Sequence, residues 1–158
     1  MSEYDDLLIE AYRGEVFGNA FFGALADAQP DDAQREKLRA LQQVEAQTAS
    51  CLRPLVDEAG IDAGDSASEA EGVEMAGGVG ELAWTVLLEG LRGALPAFLT
   101  KFERLQAIGG HEEVLADLVA HEQAIDRFAA LELDGRGAEA LDVLRRHLDP
   151  SGSPAPTR

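Results

Sequence analysis

Three glutamates stand where an amphipathic helix ordinarily carries a core residue. Glu15 lies four residues after Ala11, three before Gly18 and seven before Phe22, on a stripe that also holds Leu8, Tyr12 and Leu25. Glu45 follows Leu41 by four and Leu38 by seven, and precedes Leu52 by seven. Glu122 repeats that pattern with Leu118, Leu115 and Ala129. Each falls about halfway along its helix, so antiparallel packing brings all three to one level. Desolvation and like charge both disfavour carboxylates that converge in a core, which therefore need a cation, a shared proton or a metal.

The elements that must position them read as all-α, because three- and four-residue periodicity dominates and two-residue alternation is nearly absent. The spacing predicts a first helix over Tyr4 to Ala28, stopped at Pro30, and a second over Asp32 to Ala59, with Asp31 or Asp32 capping it. From Gly60 to Gly80 the chain is rich in glycine, serine and acid, and reads as a long solvated connection able to travel the length of a bundle. A third helix follows over Glu81 to Ala107, a fourth over Glu112 to Leu133 and a short fifth over Ala138 to His147. The domain accordingly spans residues 1–148, and residues 149–158 are expected to be a disordered tail. An offset of 77 residues sets Leu38 against Leu115, Leu41 against Leu118 and Glu45 against Glu122, the mark of two helical hairpins related by an approximate two-fold.

Short, long and short connections between four long helices, with mid-helix glutamates in three of them, resemble the ferritin-like superfamily of ferritins, rubrerythrins and related di-iron carboxylate proteins. The resemblance covers about Tyr4 to Leu133 and implies an antiparallel four-helix bundle with a long connection between its second and third helices. It also implies that the first and third helices each supply a Glu, and the second and fourth each Glu-x-x-His, to hold two iron or manganese ions. By position, Glu15 matches the first-helix ligand, Glu45 the second-helix Glu and Glu122 the fourth-helix Glu. Both histidines of the pattern are replaced, by Thr48 and Ile125, and the 77-residue offset puts Arg92 opposite Glu15. A guanidinium has only donors and cannot ligate a metal.

Two functions follow. In the favoured one Arg92 takes the metal's place, holding Glu15, Glu45 and Glu122 in a buried ion network, and the protein is a non-catalytic binding or structural module. Gly14, Gly18, Gly23, Gly90 and Gly93 would leave room for a small polar ligand against Arg92. On that reading Arg92→Ala strongly destabilises the fold. In the alternative, the three glutamates with His121 or Glu89 bind metal, and the protein is an oxidoreductase with an atypical ligand set. His121 neighbours Glu122, about 100° around the helix, and has packing at a helix interface as its other role. Glu89 is out of phase with Leu88, Leu91, Leu95, Leu99 and Phe102 unless Pro96 shifts the register. His111 and His147 have no partner at ligand spacing. Phe17 and Phe21 turn away from Glu15 and mark an expected homodimer surface.

Composition narrows the rest. Thirty Asp and Glu against thirteen Lys and Arg give a net charge of -17, which argues against nucleic acid and acidic membranes as partners. The longest apolar run, Leu82 to Leu88, is far too short to span a bilayer. An acidic N-terminus and the single cysteine, Cys51, lead to the expectation of a cytoplasmic protein. There is no phosphate loop, nucleophile elbow or zinc-type cysteine pair.

Overall fold

The computed structural model describes residues 1–152, which form six helices: α1 (Glu3–Ala28), α2 (Asp32–Glu58), α3 (Asp65–Val79), α4 (Trp84–Ile108), α5 (Glu112–Leu133) and α6 (Gly137–Leu148). The all-α expectation holds, and no helix among the described residues is long and apolar enough to cross a membrane. Residues 153–158 of the expected tail lie outside the described residues, and Asp149 ends α6 in a turn whose carboxylate accepts from the Ser151 amide and hydroxyl.

Local signals account for the starts of the first two helices. Ser2 and Asp5 form a reciprocal capping box at α1, and the Asp31 side chain accepts from the Gln34 amide, 2.8 Å away, at α2. Gly109 and Gly110 take positive φ between α4 and α5, where a side chain would be strained.

The expected solvated connection is corrected: residues 65–79 are the helix α3, which runs along α1. Its composition gives it almost no amphipathic face, so packing rather than intrinsic propensity holds it. Gly72 makes the contact, lying so close that an added Cβ would be 2.5 Å from the Phe17 carbonyl oxygen. Tyr12 and Arg53 both hydrogen-bond Asp65 at the start of α3, and Arg13 donates to the carbonyls of Ala63 and Asp62. At about 1.5 Å per residue α3 covers about 22 Å. That length carries the chain from the end of α2 to the opposite end of the molecule, where Trp84 begins α4 and donates to Glu132.

Two apolar clusters make up the core. One joins Leu8, Tyr12, Leu52, Val56, Phe102, Leu105, Leu115 and Leu118; the other joins Phe22, Leu25, Leu38, Leu41, Leu88, Leu95, Ile125 and Phe128. The start of α1 thus meets the ends of α2 and α4 and the start of α5. Leu38 and Leu115, the pair related by the 77-residue offset, fall in opposite clusters, as a two-fold exchanging the hairpins requires. Between the clusters lies a buried polar layer.

Candidate metal centre

That layer consists of Glu15 from α1, Glu45 and Thr48 from α2, and His121 and Glu122 from α5. His121 is fully buried, Glu15 is 2% exposed, and Glu45 and Glu122 are 7% exposed. All four candidate ligands named from the sequence are therefore buried, and three of them converge. One donor atom from each of Glu15, His121 and Glu122 lies within 4.8 Å of the other two.

The adjoining positions His121 and Glu122 are both buried because α5 is packed by α4 on one side, α6 on another and α2 on a third. A helix so enclosed buries a wide arc, and two residues about 100° apart both fit within it. Glu45 reaches the layer across Gly18, where an added Cβ would stand 2.3 Å from its Oε2. The missing side chain of Gly18 leaves the space that the Glu45 carboxyl occupies.

Tautomer logic sharpens the arrangement. His121 Nδ1 contacts the Leu118 carbonyl oxygen, which can only accept, so Nδ1 carries the hydrogen. In the neutral ring Nε2 then presents a lone pair, 3.0 Å from Glu15 Oε2. The two atoms are close in distance, yet neither makes a hydrogen bond in direction, and Glu122 Oε2 is likewise buried without a partner. Two lone pairs facing one another need a proton or a cation between them.

Protonation follows from burial. Desolvation pushes Glu15 up to about 8, opposed by its hydrogen bond with Glu45 and reinforced by the Glu122 charge. Glu45 is pushed well above the carboxylate range, first by burial and then by the Glu15 charge. Glu122 rises to about 7 through burial, with His121 opposing. Glu15 and Glu45 adjoin each other, and two carboxyls buried side by side favour a state in which at least one holds a proton.

Arg92 is corrected. It lies on the flank of α4 beside α5, where its Nε donates to Asp126 at 2.9 Å with the side chain 44% exposed. One helical turn separates Asp126 from Glu122, and that turn puts the arginine's partner on the surface instead of in the layer. Glu89 is exposed, so Pro96 produces no register shift that turns it inward. Thr48 and Ile125, at the two missing histidine positions, are buried, and the Thr48 hydroxyl donates to the Val44 carbonyl of its own helix. His111 is exposed, and His147 is half-buried with its imidazole pushed down, chiefly by burial.

On the α4 side the layer opens into a cavity of about 380 Å³, with Glu15, Glu45 and Glu122 at its inner end. Gly14 and Gly90 leave the expected room, but the walls are apolar and Arg92 is not among them; Arg92 lines a separate groove with Glu122, Gln123 and Asp126. Phe17 and Phe21 line this cavity and stack on each other, and α3 packs against their backbone. Sequence reasoning missed these walls. Their signal was the width of the apolar face of α4, where Leu87, Leu91 and Phe98 lie beside the Leu88, Leu95 and Phe102 stripe. No family model, no curated protein and no solved structure matches the chain.

Proposed function

We propose that the chain is a ferritin-like metal-binding protein in which Glu15, His121 and Glu122, with Glu45 beside them, hold one divalent transition-metal ion. The observation that carries this reading is the facing pair of Glu15 Oε2 and His121 Nε2, 3.0 Å apart, buried and without hydrogen bonds. A metal-bound histidine normally donates its other ring hydrogen to a carbonyl or carboxylate, as His121 does to Leu118. Two carboxylates and a neutral imidazole offset a divalent charge, while Glu45 keeps its proton. The crossover from α2 to α4 along α1 supports the ferritin-like arrangement.

The donors fit one ion and not the family's two. A second would need ligands where Thr48 and Ile125 stand, and α4 turns Leu88 and Leu95 inward and Glu89 outward. Iron or manganese held there would supply one-electron redox chemistry, the basis of the oxidoreductase alternative. The adjoining carboxyls of Glu15 and Glu45, both raised by burial, favour a second reading, a metal-free layer that shares a proton and acts as a structural or binding module.

Metal content decides between them. The chain is loaded anaerobically with Fe(II) or Mn(II), desalted and measured by mass spectrometry, alongside Glu15→Gln and His121→Ala. About one ion per chain, lost in both variants, is the expected result. About two would restore the family's dimetal centre, and none would leave the proton-sharing layer.

A further inference from the structure

The cavity beside the layer has apolar walls and an acidic inner end. Its volume of about 380 Å³ lies within the roughly 300–1,000 Å³ usual for small-molecule sites. Phe17, Phe21, Trp84, Leu87, Leu91 and Phe98 form much of its wall. No lysine, arginine or histidine lines it, and its inner end is acidic. Nothing lies within 4 Å of where a Cβ would stand on Gly14 or Gly90, so both glycines keep space open. At the mouth Met75, Leu82, Val86 and Phe98 are exposed, a rim of apolar side chains at the entrance.

We infer that this cavity binds a small, largely apolar organic molecule that is not an anion, with a hydrogen-bond donor at its inner end facing Glu45 and Glu122. The charge exclusion rests on the absence of any lysine, arginine or histidine from the walls and on the net charge of -17. The donor requirement rests on Glu122 Oε2, which is buried and has no partner. A second copy of the chain laid on this face would cover the rim but would leave the inner space and that oxygen unmet. The site borders the metal cluster and requires no ion in it.

Two dyes sharing one apolar body test this. N-phenylnaphthylamine is neutral and carries an N–H donor; anilinonaphthalene sulfonate adds an anionic group. Trp84, the chain's single tryptophan, lines the cavity and reports a bound dye by energy transfer. Saturable binding of the neutral dye at about one per chain is expected, with the sulfonate at least about tenfold weaker. Gly14→Leu and Gly90→Leu should each weaken the neutral dye by about tenfold or more while keeping the helical circular dichroism.

Equal affinity for the two dyes, no saturable binding, or binding that survives both substitutions overturns the inference. So does a chain that sediments as a dimer and excludes the neutral dye. If both leucine variants lose their helical signal, the ratio of the two dyes on the unaltered chain decides alone. Titrations run with EDTA and after Mn(II) loading keep the two proposals separate. Dye binding without retained metal supports the cavity site and refutes the metal centre, and retained metal without dye binding does the reverse.

Discussion

Gly18 and Glu45 are a matched pair: the absence of a side chain on α1 is what lets the α2 carboxyl cross to the buried layer. An added Cβ would stand 2.3 Å from Glu45 Oε2 and 2.7 Å from its Cδ. Gly18→Ala therefore displaces the carboxyl from the place it occupies beside α1. Gly14, one turn earlier, has nothing within 4 Å. Gly14→Ala should stabilise the chain by about 0.5–1 kcal/mol, the usual difference in helix propensity. Gly18→Ala should show less gain or a net loss. Urea unfolding of the two variants gives the comparison, and equal gains would mean that Glu45 moves without cost.

Raised carboxyl pKa values invert the ordinary pH dependence of stability. Glu15 and Glu122 shift from an ordinary 4.5 to about 8 and about 7. Between those limits the folded chain binds more protons than the unfolded one, so stability falls as pH rises. The slope is up to about 1.4 kcal/mol per pH unit for each such group. The metal-free chain should unfold at a higher urea concentration at pH 5 than at pH 8. Replacing Glu15 and Glu122 together by Gln should make the profile shallower, with Glu45 supplying the slope that remains, which separates the layer from general repulsion among surface acids.

Arg92→Ala separates the surface pair from a buried network. Arg92 and Asp126 are both exposed and their attraction is screened by water. The urea midpoint of the variant should match that of the unaltered chain. A large loss would mean that the guanidinium balances the buried carboxyls after all.

Gly72 governs how α3 sits on α1. A Cβ there would meet the Phe17 carbonyl oxygen at 2.5 Å and the Phe21 amide at 3.0 Å, both backbone atoms unable to yield separately. Gly72→Ala should cost about 1–3 kcal/mol in strain, partly offset by about 1 kcal/mol of helix propensity. Amide exchange within residues 65–79 should accelerate selectively. Gly78→Ala, at a position with open space, should slow it.

Helical periodicity and mid-helix placement were legible without any structure, because both depend only on neighbours a few residues along the same chain. That is why Glu15, Glu45 and Glu122 could be recognised as buried, and why the helices other than α3 could be bounded closely. Residues 65–79 were not legible as a helix. Their glycines and serines carry little propensity, and only contact with α1 through Gly72 makes the conformation worthwhile. The side of a helix that a borderline residue faces was equally a tertiary matter. Arg92 sits at the flank of the α4 stripe, and the position of Asp126 on the neighbouring helix turned it outward. His121 sits at a similar margin on α5, and packing by α2, α4 and α6 enclosed it. Local pattern determined which groups would be buried; the rotation and spacing of the helices decided which of them meet, and what cavity they leave.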